Sequence, residues 1–184
     1  MKKRYRERAL NELFAGLQSE DFDRREHALF QLALVLRRTN PERSKQDLPE
    51  LGNESLPREL RRIRLGAEDQ RQIVDQLSLL IASRSESRAT AFWTLCEVAA
   101  EVGWAPTLAL LKSCGAQLDD EAAFQACRAL RRWLESAKPS HELADARIGA
   151  FALIDLVRAW GTSDYDRLGR EASAVLERLR GQGQ

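Results

Sequence analysis

Four times in this chain an alanine is followed by a large apolar residue, and then by an apolar residue three and again six positions beyond that. The copies read Ala28-Leu29-Leu32-Val35, Ala91-Phe92-Leu95-Val98, Ala123-Phe124-Cys127-Leu130 and Ala150-Phe151-Ile154-Val157. Such spacing places all four side chains on one face of a helix and is incompatible with the two-residue alternation of a strand. Around the second copy the pattern is denser. Ala89, Phe92, Cys96, Ala99 and Ala100 line one side of the stretch from Ser85 to Trp104, while Ala91, Leu95, Val98 and Val102 line another. A helix that is apolar on two sides must be sandwiched between neighbours. The spacing therefore predicts one central helix over residues 85–102, closed by Gly103, with Pro106 opening the next helix in its first turn.

The remaining chain divides readily around that element. Ala9, Leu10, Leu13, Phe14 and Leu17 predict a first helix over 1–18, and a second over 24–38 stops before Pro41. Further helices are predicted over 68–83, 107–116, 120–136, 141–160 and 162–180, the last with a single apolar stripe suited to a terminal cap. Residues 39–66 interrupt this order. They hold a polar, aperiodic run from Glu42 to Asn53, then a short basic amphipathic piece with Leu56, Leu60 and Ile63 inward and Arg58, Arg61, Arg62 and Arg64 around it.

The run Gln18-Ser-Glu-Asp21-Phe-Asp-Arg-Arg25-Glu-His-Ala28-Leu29-Phe-Gln-Leu32 resembles the HEAT repeat, in which a helix is followed by an acidic turn and an Arg-x-x-Ala opening to the second helix. The resemblance covers Ala9 to Leu36 and thins afterwards. Arg88 and Arg147 keep the arginine position, but Asp120 replaces it in the third copy, and Arg84, Ala116 and Leu143 stand where the turn acid would be. The resemblance implies that Asp21 and Arg25 tie neighbouring repeats together. It also implies an all-α, HEAT-like superhelix of antiparallel helix pairs, about eight helices, irregular toward the C-terminus. One domain over 1–184 is expected: a first helix pair (1–38), the polar insertion (39–66), and the remaining pairs with the cap (67–184).

Composition excludes several functions. A net charge of +1 gives no overall bias toward nucleic acid or anionic lipid. No apolar run approaches the length of a membrane span, and no signal-peptide core follows the basic start, so a reduced cytoplasm is the expected location. The three cysteines, Cys96, Cys114 and Cys127, form no CxxC pair, and two of them lie inside apolar helical patterns as small hydrophobes. His27 and His141 are the only histidines, and no zinc, metalloprotease or phosphate-loop spacing is present. No catalytic residue, metal or cofactor is expected.

What remains is recognition. Helical arrays expose an extended concave surface, which suits a protein partner and a scaffold or adaptor role. The candidate partner-binding residues are Arg24, Arg58, Arg61, Arg62, Arg128, Arg131, Arg132, Trp133, Arg158 and Trp160. Trp133 and Trp160 each fall ten residues after a repeat alanine and beside arginines. That combination serves a second reading, phosphate-backbone contact by a nucleic-acid-associated subunit, while closure of helix ends by structural tryptophans is the plainer one. A third reading, a HEAT-like DNA-repair glycosylase, would need an acidic groove residue, for which Glu97 and Asp155 are the candidates. Either acid, if buried unpaired, would cost several kcal/mol, so exposure or an arginine partner is expected.

Overall fold

Residues 2–40, 56–136 and 153–181 are described in a computed structural model. Within them the chain forms eight α-helices: α1 (Lys2–Leu17), α2 (Phe22–Thr39), α3 (Ala67–Ser83), α4 (Arg88–Leu95), α5 (Ala100–Cys114), α6 (Asp120–Ser136), α7 (Ile154–Trp160) and α8 (Asp166–Gly181). Short 3-10 turns occupy Leu60–Arg62, Ser85–Ser87 and Gly115–Gln117, and there is no strand among the described residues. The all-α class read from the apolar spacing is thus what forms.

The helices pack in two rows. In one row α2 lies on α4, α4 on α6 and α6 on α8; in the other α3 touches α1 and packs firmly on α5. Consecutive helices close the pairs, α1 on α2, α3 on α4 and α7 on α8. The first three copies of the alanine register fall on α2, α4 and α6, and every one of their apolar residues is buried. The fourth copy does not continue the row, because Ile154 and Val157 belong to α7, and it is α8 that lies beside α6. Ala150 and Phe151 lie outside the described residues. Helix α7 is dry on one side only: Val157 and Trp160 are buried, but Asp155, Arg158 and Ala159 are exposed.

The predicted central helix is two helices. The chain turns after Leu95, with Glu97 N–H donating to Thr94 O and Val98 N–H to Leu95 O, both three residues back. The Ala99 N–H leaves the helical ladder altogether and donates to Gln70 Oε1 at 2.9 Å. Asn40 Nδ2, at the end of α2, donates to Glu97 O at 2.8 Å. Helix α4 is dry on two sides because α2 and α6 both pack against it. Gly103 and Pro106 sit inside α5 and do not separate helices. Gly103 has a packing reason: a Cβ there would come within 2.9 Å of Trp133 Cζ2. Pro106 removes one helical donor in the second turn of α5, so the Val102 carbonyl loses its usual partner.

Caps and turn contacts join the pairs along one edge. Asp21 caps α2 by accepting from Arg24 N–H at 3.0 Å, and Asp119 accepts from Ala122 N–H at 2.8 Å at the start of α6. Arg25 is buried and spans two turns. Its Nη1 donates to Ser19 O at 2.8 Å, its Nε to Ser87 Oγ at 2.8 Å and its Nη2 to Glu86 Oε1 at 2.7 Å. Arg88 occupies the same place one pair later, donating through Nε to Ile81 O at 2.8 Å and through Nη1 to Gln117 O at 3.5 Å. Where Asp120 replaces the arginine the polarity reverses, and Ser163 Oγ from the next turn donates to Asp120 Oδ1 at 3.1 Å. The arginine of the Arg-x-x-Ala opening makes the inter-turn tie, whereas Asp21 serves its own helix.

Phe92, on α4 between α2 and α6, has no exposed surface. Phe92→Ala is expected to cost about 3–5 kcal/mol by opening a cavity that its neighbours cannot refill. Denaturant titration measures this, and a loss below about 1 kcal/mol contradicts the assignment of α4 to the centre of the core.

Candidate interaction surface

The turn between α4 and α5 is held by a buried ion cluster. Glu97 has no exposed side-chain surface; its Oε1 accepts from Arg37 Nη2 of α2 at 2.6 Å and from Arg132 Nη1 of α6 at 2.9 Å. Burial by itself raises the pKa of Glu97, but the Arg37 hydrogen bond, with the charges of Arg132 and Arg37, more than reverses this and leaves it below the ordinary carboxylate value. A general acid working near neutral pH needs the opposite shift. Asn40 Nδ2 and Gln70 Oε1, 3.2 Å apart, extend the polar contacts to the start of α3. This cluster pins one row to the other and so fixes the surface that the second helices present.

The other titratable candidates are equally occupied. Cys96, Cys114 and Cys127 are all buried, and burial, reinforced by the Glu171 charge, pushes the Cys127 thiol far up, away from thiolate chemistry. His27 is exposed, with its Nε2 2.8 Å from Gln31 Nε2, and His141 lies outside the described residues. Asp155 is exposed and pairs with Arg158 at 3.0 Å. No group of three or more metal-ligating side chains forms among the described residues. No helix among them is long and apolar enough to cross a membrane.

The arginines and tryptophans singled out in the sequence do not gather in one place. Arg132 and Trp133 point into the interior, Arg132 onto Glu97 and Trp133 edge-on to Trp104 with ring centroids 5.7 Å apart. Trp160 is also buried. These three support the fold and offer no side chain to a partner. Arg131 is tied to Glu171 at 3.0 Å, and Arg158 to Asp155. Arg24, Arg58 and Arg62 are exposed, while Arg61 is half-buried with its Nε donating to Leu56 O at 2.7 Å. Arg38, at the end of α2, has its pKa lowered by burial and then by the charges of Arg64 and Arg61, so this end of the insertion is a basic cluster. Arg128 is half-buried on α6.

A different pair stands out on the row of second helices. Phe30 of α2 and Trp93 of α4 stack with ring centroids 5.8 Å apart and an interplanar angle of 21°. Both are half-buried, with part of each ring facing solvent. Beside them Thr90 Oγ1 donates to Glu26 Oε2 across the same helix pair. The sequence does carry a signal for this site. Phe30 and Trp93 each lie two residues after a repeat alanine, Ala28 and Ala91, and Gln125 takes the same place after Ala123. Reading the register only for its buried face hides this outward position.

No protein-family model matches this chain, and no curated protein or solved structure matches it.

Replacing Glu97 by Gln removes the buried counter-ion that Arg37 and Arg132 share, at a cost of about 3–5 kcal/mol near neutral pH. Because the folded-state pKa of Glu97 is lowered, its stabilisation is present above the ordinary value of 4.5 and is lost as pH falls through the folded value. Urea denaturation at a series of pH values should show the gap between wild type and Glu97→Gln closing below about pH 4.5. A gap of constant size across that range contradicts the charged assignment.

Proposed function

We propose that this protein is a non-enzymatic binding or scaffold module that recognises a protein partner on the outward surface of α2, α4 and α6, with the helices arranged as a HEAT-like superhelix. The observation that carries this reading is the Phe30–Trp93 stack, two large rings left partly in water on adjoining helices of a rigid row. Aromatic side chains held in place by a scaffold are the commonest anchors of protein interfaces, since they bury much area at little entropic cost. The surroundings agree, because Glu26, Thr90, Gln125 and Arg128 supply the polar rim that such anchors need. The candidate acids support no enzymatic alternative: Glu97 is taken by two arginines and Asp155 by one.

A pull-down from the native host with the full chain and with Trp93→Ala, read by mass spectrometry, tests this. Trp93→Ala should retain the helical circular dichroism of the parent and lose a specific protein partner by about 30-fold or more in affinity, the effect of an anchor worth about 2 kcal/mol. A partner retained equally by both proteins places the interface elsewhere. Capture of nucleic acid with a steep salt dependence and no protein partner transfers the function to phosphate contact.

A further inference from the structure

Two arginines at the seam of α6 and α8 share one aromatic ring and have no carboxylate partner among the described residues. Arg128 of α6 lies with its Cζ 5.8 Å from the centroid of Phe124, and Arg167 of α8 with its Cζ 4.9 Å from the same centroid. Phe124 is buried and further fixed by an edge-on Tyr165, with centroids 6.2 Å apart. Elsewhere along this seam the cations are neutralised, Arg131 by Glu171 at 3.0 Å and Arg178 by Glu135 at 3.0 Å. Among the described residues, no acid pairs with Arg128 or Arg167. Glu121, the acid of the same helix end, is engaged by Tyr165 Oη–H at 2.7 Å and by Gln125 Nε2 at 2.9 Å. The π-face of Phe124 offsets only part of the repulsion between two guanidinium groups held over it. Most of their N–H donors remain available, since Arg128 spends only Nη1, on Gln125 Oε1 at 3.3 Å.

Gln125 connects this cationic pair to the aromatic stack, because it occupies on α6 the register position that Phe30 and Trp93 occupy on α2 and α4. Arg128 donates to Gln125 and lies one turn further along the same side of α6. We propose that this surface docks an acidic segment of the partner protein, with carboxylates taken by Arg128 and Arg167 and an apolar side chain of the same segment seated on Phe30 and Trp93. The inference rests on the protein-binding reading above and adds the chemistry of the partner. Guanidinium forks bind carboxylates in paired hydrogen bonds, and a fixed pair of forks selects acids at a matching spacing. A phosphodiester chain fits less well: it carries a charge at every nucleotide and so meets Glu26 and Glu121 along the row, whereas a peptide places its few carboxylates on Arg128 and Arg167 alone.

The test uses the full chain as bait for a displayed library of random linear peptides, with binding then measured for fluorescein-labelled selected peptides. Peptides enriched in Asp and Glu together with an apolar residue are expected. Their affinity should fall about tenfold or more on R128E/R167E, with Trp93→Ala weakening the same peptides. R128Q/R167Q serves as the milder variant if charge reversal impairs folding, and selection on R128E/R167E should shift toward Lys and Arg. Selected peptides that need Trp93 but carry no acidic bias, or that bind R128E/R167E equally well, overturn the inference and leave the protein-binding reading standing. Peptides indifferent to Trp93 and to both arginines, or no selected peptides at all, overturn both. Binding of a single-stranded RNA or DNA oligonucleotide that is lost on R128E/R167E overturns the inference in favour of phosphate.

Discussion

The fold hangs on one buried carboxylate. Glu97 sits where the chain leaves one row of helices for the other, and it is held there by Arg37 from α2 and Arg132 from α6. A charge taken out of water to this depth is tolerable only where opposite charges and hydrogen bonds replace its hydration. The requirement brings α2, the α4–α5 turn and α6 to a single point. With Asn40 bonded to the Glu97 carbonyl and Gln70 to the Ala99 N–H, the turn cannot shift without stranding several groups at once. The spacing of α2, α4 and α6, and hence the surface they offer, follows from that constraint.

A second set of polar contacts runs along the edge where the helix pairs turn. Arg25, Arg88 and Asp120 occupy equivalent places, and each bonds to the following turn although their chemistry is not the same. Arg25 is buried and makes three good bonds, whereas Arg88 reaches its neighbour only at 3.5 Å. The tie weakens at Arg88, although its Arg-x-x-Ala opening is intact, and reverses polarity at Asp120, where that opening is lost. Apolar burial is the more even contribution, since the same alanine-led face is dry in all three helices.

The outward surface follows a different logic from the core. Rings that would close the row as structural residues are buried, as Trp104 and Trp133 are, while Phe30 and Trp93 are stacked and left half in water. The charged positions divide in the same way. Arg131, Arg158 and Arg178 have carboxylates within ion-pair reach, and Arg132 is committed to the core. Arg128 and Arg167 share a ring and have no acid partner among the described residues. Residue type alone does not distinguish these groups, because an arginine beside an apolar helix reads the same whether its counter-charge is on a neighbouring helix or in a partner.

The sequence by itself determined the helical class, most helix positions and the dry faces of α2, α4 and α6, because spacing at three and four residues is a local property of the backbone. It also carried the outward position two residues after Ala28, Ala91 and Ala123. Only the tertiary structure decided that the stretch from Ser85 to Trp104 breaks into two helices, since the groups that bond its freed backbone come from Asn40 and Gln70, and those that hold the Glu97 side chain from Arg37 and Arg132, far away in the chain. It likewise decided that the fourth alanine copy leaves the row, and that Arg132 and Trp133 face inward. A periodic pattern reports that a face must be covered, but which helix covers it depends on contacts between residues that the pattern does not relate.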